Sequence, residues 1–255
     1  MRRWFAFVLV LGFVVALAGA LARIPEALAR VEAFRITEIR LEGNRFLSSA
    51  EAAKALAISP LASTWDDLDP LEERVRAHPL VEDCRARRRF PRTLVLEVVE
   101  EAPVALVPNP ALEPVDAAGR FLPIDPSEHG LDLPIITGSH DGAAHDLSTA
   151  ERRLLAQELA RLGQGHPELL ARISELRLDS RGELWAQFWR RDPRGEVWDL
   201  PVTLRFRPNL PGDRVQEGLR VLSDAMTRFE GALVAGLDLR YDDQVVVRLN
   251  RAEGN

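Results

Sequence analysis

Residues 80–107, LVEDCRARRRFPRTLVLEVVEEAPVALV, hold two strand-like runs around a short break at Phe90-Pro91-Arg92. In the second run Leu94, Leu96 and Val98 share one face and Val95, Glu97 and Val99 the other, the period-two alternation of a half-buried strand. In the first run Arg85, Arg87 and Arg89 point one way, to water, and Cys84, Ala86 and Arg88 point the other. Proline cannot donate to a strand ladder, so Pro91 belongs in the connection. The stretch reads as a β-hairpin whose Glu100-Glu101-Ala102-Pro103 exit leads into a new unit.

Upstream, Arg35 to Leu41 reads as a strand and Gly43-Asn44 turns the chain. Ser48 followed by Glu51 forms a capping box, opening a helix that turns Ala52, Ala55 and Leu56 inward and is closed by Pro60. Asp69 and Pro70 pair as N-cap and first turn of a second helix, which carries Leu71 and Val75 and stops before Pro79. With the hairpin, the order is β-α-α-β-β. Two helices covering one face of a three-stranded sheet make a stable α+β layering.

The N-terminus is different in kind. From Trp4 to Ala22 there is no charge, and those 19 residues as a helix span about 28 Å, the thickness of a bilayer's hydrocarbon core. Arg2 and Arg3 precede the run, which by the positive-inside rule sets the N-terminus in the cytoplasm and the bulk of the chain outside it. A cleaved signal peptide is the rival reading, since Ala18-Gly19-Ala20 and Ala20-Leu21-Ala22 both offer cleavage sites; the apolar run is longer than a signal core, which favours a retained anchor.

Downstream of Ala102 the strands shorten and turns multiply. Val104 to Val107, Val115 to Leu122 (turning at Gly119) and Leu133 to Thr137 read as strands. Ser148 and Glu151 make another capping box, for a helix with Leu154, Leu155 and Leu159 that ends at Leu162-Gly163. Ile173 to Leu178, Leu184 to Trp189 and Val202 to Phe206 are strands, with turns at Arg181-Gly182 and Arg194-Gly195. Trp185, Trp189 and Trp198 are assigned to the core of this domain. Asp213 caps a helix bearing Val215, Leu219, Leu222 and Met226, and Leu237–Tyr241 with Val245–Leu249 forms a closing hairpin over Asp242-Asp243-Gln244.

The chain of 255 residues carries a net charge of -6, which argues against nucleic acid as a partner. Cys84 is the single cysteine, so an intramolecular disulfide and a thiolate metal site are excluded. There is no Ser nucleophile elbow, no Gly-rich phosphate loop and no H-E-x-x-H pair, so no catalytic residue, metal ligand or cofactor is assigned. The segment Ser139 to Asp146, with His140 and His145, is the only candidate metal cluster, and it reads better as an ordinary polar loop. The Arg85–Arg92 run reads as an exposed strand face, with attraction of an acidic partner or anionic headgroups as the alternative.

The order of these elements, with Glu42-Gly43-Asn44, Arg89-Phe90-Pro91-Arg92-Thr93-Leu94 and Asp238-Leu239-Arg240-Tyr241 as its sharpest pieces, resembles a POTRA domain and, more narrowly, the FtsQ/DivIB family of bacterial division proteins. The resemblance divides the chain into a cytoplasmic tail 1–3, a transmembrane helix 4–22, a juxtamembrane segment 23–33, a POTRA domain 34–101, an FtsQ-type β domain 102–250 and a C-terminal tail 251–255. It implies a non-enzymatic, single-pass protein of the cell inner membrane at the division septum, bulk periplasmic, with contacts to other divisome proteins through its POTRA and transmembrane segments. It also implies that the C-terminal strand region holds an FtsB/FtsL-like subcomplex. By that match Arg240 and Tyr241 stand at the partner-contacting positions, though Asp243-Gln244 replaces the glycine many members carry in the turn. The flat, β-branched run Val245, Val246, Val247, Arg248 and Leu249 is expected at a sheet edge, where unpaired backbone groups invite an added strand. Two other readings are an outer-membrane assembly or secretion factor, which wants several POTRA copies or a barrel, and an exported metal-dependent enzyme using His140 and His145.

Overall fold

The computed structural model describes residues 2–140, 143–188, 202–228 and 233–250. The chain divides into two compact units, 1–101 and 102–255. The fold is mixed α+β, with an apolar helix ahead of a POTRA-like layer and a larger, strand-rich unit.

In the first unit α1 (Arg2–Ala22) is followed by the short α2 (Ile24–Ala29), and Leu11–Ala29 is long and apolar enough to cross a membrane. Then come β1 (Glu38–Glu42), α3 (Ser49–Leu56), α4 (Asp69–Arg76), β2 (Val81–Arg89) and β3 (Thr93–Glu100). The sheet order is β1-β3-β2: β3 lies in the middle, parallel to β1 and antiparallel to β2. Its central place explains why Val95 is buried as well as Leu94, Leu96 and Val98. Leu47 before α3, Ala52 and Leu56 of α3, Leu71 and Val75 of α4 and Cys84 of β2 close the core, each large side chain contributing about 2 kcal/mol of burial. Pro91 lies in the hairpin connection, in a cis peptide after Phe90. Gly43 has a φ of +84°, and a Cβ there would run into the Val98 carbonyl. The turn it begins is then closed by the Glu100 carboxylate, which accepts from the backbone N–H groups of Phe46 and Leu47, each at 2.8 Å.

Several local expectations need correction. The capping box at Ser48 and Glu51 is formed on both sides, but Asp69 is not a cap: Leu68 holds that position without a side-chain bond. The Asp67 carboxylate, two residues upstream, instead accepts from the Asp69 N–H at 3.2 Å. The first strand begins at Glu38, because Arg35 and Ile36 pair instead with the segment around Ala62 and Ser63.

The second unit runs β4 (Ala105–Asn109), β5 (Ala111–Val115), β6 (Ile135–His140), β7 (Ala143–His145), α5 (Thr149–Gly165), α6 (Pro167–Leu170), β8 (Ile173–Asp179), β9 (Leu184–Phe188), β10 (Val202–Phe206), α7 (Gly212–Arg228), β11 (Leu233–Asp238) and β12 (Val246–Asn250). Its strands form one nine-stranded sheet in the order β12-β11-β10-β9-β8-β6-β4-β5, with β7 on β6. One core joins a single face of that sheet to the three helices, through Leu155, Leu159 and Leu162 of α5, Leu169 of α6, and Val215 and Leu222 of α7. Leu184, Ala186 and Phe188 of β9 and Val202, Leu204 and Phe206 of β10 meet them.

Trp185 is therefore not a core residue. Its strand alternates, and the parity that buries Leu184 and Ala186 turns the indole to the opposite face, where it is half-buried under the Arg205 guanidinium, 4.8 Å from the ring centroid. Trp189, Trp198 and the Arg194-Gly195 turn lie outside the described residues. Helix α5 runs on to Gly165, past the expected Gly163, and Asp213 sits inside the first turn of α7 instead of capping it. Asp141, Gly142 and the side chains of residues 139–145 lie outside the described residues.

Candidate functional site: the C-terminal sheet edge

The edge is built by three connections. Strand β11 joins β10 in parallel, which needs the α7 crossover, and β12 returns antiparallel to β11. Within β11, Gly236 leaves room for the β10 backbone: a Cβ there would stand 2.5 Å from the Thr203 carbonyl oxygen. Among the described residues β12 pairs with β11 alone, so its far side is a free row of backbone donors and acceptors.

The connection between the two strands is longer than a tight hairpin, running from Leu239 to Val245. The Leu239 N–H still bonds the Arg205 carbonyl at 2.8 Å, and its side chain is buried. Arg240 then folds back. Its Nε and Nη2 donate to the two oxygens of Asp238 at 2.8 and 2.6 Å, and Nη1 donates to Glu183 Oε1 at 2.7 Å. Arg205 takes the other Glu183 oxygen, and Trp185 Nε1 donates to Asp179 at 3.1 Å. The Arg240 bonds hold the buried Asp238 carboxyl below its ordinary range. For Glu183 burial pushes upward, but the Arg240 and Arg205 bonds outweigh it and the net shift is also downward.

Beyond Arg240 the loop is gripped from α7, where Arg214 Nη2 donates to the carbonyls of Tyr241 at 3.1 Å and Gln244 at 2.9 Å. Tyr241 is left 44% exposed. Val245 and Val247 lean on the core, while Val246 and Leu249 are 39% and 46% exposed. Arg248 reaches Asp238 at 3.4 Å while about half its side chain stays in water. The seven residues assigned from the sequence thus come together on one loop and strand, but with different tasks. Arg240 is occupied by carboxylates of its own unit, whereas Tyr241, Val246, Arg248, Leu249 and the outer backbone face outward. Glu183, Arg205 and Arg214, which the sequence reading missed, are the residues that hold this arrangement in place.

The open face of the sheet beside the edge carries a transverse row, Thr137, Arg177, Trp185, Arg205, Asp238 and Val246, in register across six strands. Arg205, Arg240 and Arg248 are each paired with acids on this face. Among the described residues no group of three or more His, Cys, Asp or Glu side chains is placed to hold a metal ion.

A three-stranded β1-β3-β2 sheet under two helices, behind an apolar helix able to span a bilayer, defines a membrane-anchored POTRA protein. The family model described as "POTRA domain, FtsQ-type" matches residues 34–101. Over 229 residues the chain is 31% identical to the cell division protein FtsQ of Anaeromyxobacter sp. (strain K), covering 86% of this chain and 73% of that protein. It is 31% identical over 156 residues to the FtsQ of Myxococcus fulvus, 58% of this chain and 54% of that one, so that match spans about half the relative's length. With the FtsQ of Novosphingobium aromaticivorans it shares 25% identity over 244 residues, 92% of this chain and 69% of the relative. The chain belongs to the FtsQ family of bacterial cell division proteins, single-pass membrane proteins with a POTRA domain.

Proposed function

We propose that this protein is a non-enzymatic divisome scaffold that holds an FtsB/FtsL-like subcomplex by taking a strand onto the outer side of β12. The observation that carries the reading is the side of that strand left unpaired among the described residues, the last strand of a nine-stranded sheet, flanked by the exposed Tyr241, Val246 and Leu249. An added chain would satisfy backbone groups that otherwise need water, while alternate side chains supply specificity. The charges of the neighbouring face are largely neutralised within the unit, so the edge, not the face, offers unspent binding capacity. The POTRA unit and the transmembrane helix would make further divisome contacts. In this reading the N-terminus is cytoplasmic, the two units lie on the periplasmic side of the inner membrane, and the protein gathers at the septum. Sharing one membrane with its partners raises their effective concentration, so modest affinities suffice.

Successive residues of a strand turn their N–H groups to opposite sides. Proline placed in turn at Val246 and Val247 in the full chain therefore removes one inward and one outward donor. Capture of the partner complex from detergent extracts should be lost for the outward position while the unfolding midpoint stays near wild type. Retained capture by that variant rules out strand addition. Depletion in cells should give filaments, and normal septation without the protein argues against the divisome role.

A further inference from the structure

Of the large apolar side chains that β1–β3, α3, α4 and their loops leave exposed, Phe90 and Leu61 lie at one end, with Val99 (53% exposed) apart from them on β3. Phe90, at the tip of the β2–β3 hairpin, is 51% exposed and Leu61 is 68% exposed. Phe90 packs on Trp65 with ring centroids 5.1 Å apart, and Phe34 meets both rings edge-on at 5.9 and 6.2 Å. The loops carrying these residues are tied to the chain just as it leaves α2. Thr64 N–H bonds the Phe34 carbonyl at 2.9 Å, Ile36 N–H bonds the Ala62 carbonyl at 2.9 Å, and Arg92 Nε bonds the Ala33 carbonyl at 3.2 Å. Phe34 is five residues beyond the end of α2, a reach of at most about 17 Å. A cavity of about 600 Å³ separates Pro25, Ala29 and Arg30 of α2 and its exit from Leu61 and Trp65. The Trp65 Nε1 that belongs to this cluster is buried without an acceptor.

Arginines surround the patch. Arg30 and Arg89 are exposed, and Arg35 is half-exposed. Of the nearby acids, Glu32 is taken by Arg35 at 3.3 Å, Asp66 accepts from the Ser63 N–H at 2.7 Å and Asp67 from the Asp69 N–H at 3.2 Å, while Glu26 is exposed on the cavity's α2 side. Exposed aromatic and aliphatic residues bordered by basic ones, one short segment from a membrane-spanning helix, match the headgroup layer of a bilayer, where tryptophan and arginine concentrate and anionic lipid attracts cations.

We propose that this end of the POTRA unit is seated in the headgroup layer of the membrane that the α1–α2 segment crosses, with Phe90 and Leu61 as apolar anchors and Arg30, Arg35 and Arg89 drawing anionic phospholipid. The inference rests on the membrane-spanning reading of the Leu11–Ala29 segment, and the test separates the two. Cysteines introduced as Leu61→Cys, Phe90→Cys, Val14→Cys and Glu73→Cys, one at a time in the full chain, accept a nitroxide label without competition from Cys84, whose side chain is buried. In nanodiscs of phosphatidylcholine with and without phosphatidylglycerol, the labels are read by relaxation with oxygen and with a water-soluble nickel chelate. Labels at 61 and 90 should show a several-fold higher oxygen-to-nickel ratio than the label at the exposed Glu73, rising further with phosphatidylglycerol. Arg30→Gln with Arg89→Gln should abolish that rise. Labels at 61 and 90 that match Glu73, while Val14 reads lipid, overturn the proposal and leave the span intact. A Val14 label that reads water overturns both.

Discussion

Arg240 Nη1 lies 2.7 Å from Glu183 Oε1, a bond between groups 57 residues apart that ties the loop before the last strand to the start of β9. Glu183 also accepts from Arg205, so one half-buried carboxylate serves two guanidinium groups from two further stretches of chain. Removing it leaves Arg240 with Asp238 and Arg205 with Asp179 at 3.8 Å, but takes away the carboxylate the two share. Glu183→Ala should therefore lower the stability of the β unit by about 2 kcal/mol, read as a reduced urea midpoint by tryptophan fluorescence. A double-mutant cycle with Arg240→Met should return a coupling clearly above the spread expected of independent sites. Additive effects would mean that the two residues act separately.

The same cluster gives stability an acid limit. Asp238 is held below its ordinary range by its bonds from Arg240. In Glu183 and Asp179 burial works the other way but is outweighed by the donors they accept. A carboxylate with a lowered folded value stabilises above its unfolded pKa and loses that contribution as the pH falls through the folded one. The unfolding midpoint should be level above about pH 5 and decline progressively below it. Asp238→Asn should be less stable at neutral pH and show a shallower acid decline; an unchanged slope would remove Asp238 from the account.

Arg214 offers a way to loosen the loop before β12 without opening the core. Its guanidinium holds the Tyr241 and Gln244 carbonyls, charge-assisted bonds worth about 1.5 to 3 kcal/mol apiece at most. Arg214→Ala should speed amide exchange through residues 241–245 by about tenfold or more and weaken partner capture. The amides of β8 and β9 should keep their protection. Uniform loss of protection would show that Arg214 supports the whole unit.

Cys84 makes an alkaline counterpart in the POTRA unit. Burial, with Glu72 nearby, pushes its thiol up to about 11. A raised folded value stabilises below the unfolded pKa and is lost as the pH rises, here between about 9 and about 11. Thiol reagents should react with the native protein only at the rate of opening, and Cys84→Ala should flatten the decline in stability above pH 9. Rapid native-state labelling at pH 8 would contradict the buried thiol.

Much of this was legible from local pattern. The alternation on both sides of Pro91 and the two capping boxes at Ser48 and Ser148 depend only on neighbours in sequence, and all are present in the structure. So is the position of β12 at the end of the sheet. What escaped depends on distant partners. Trp185 looks like core by size, yet the strand's parity sets it among Arg177 and Arg205, its in-register neighbours. Three aspartates crowd the start of α4, and only the backbone path selects Asp67 to bond Asp69. Arg240, assigned from the sequence to partner contact, is instead engaged by Glu183, which comes within reach only when β9, β10 and β11 lie in one sheet. The parallel β10–β11 pair, formed across α7, is what brings those strands into one sheet.

If a strand adds to β12 as proposed, the in-register row that ends at Val246 would also act as a reading frame for it. A strand laid against β12 would find an apolar rung at Val246, then, two residues on along the same face, the half-exposed cation of Arg248. Cross-strand neighbours prefer like with like for apolar groups and opposite signs for charges. A strand added there, as proposed, would thus be selected for an apolar and an acidic residue at alternate places, and one shifted by one residue would turn both of them to the wrong side.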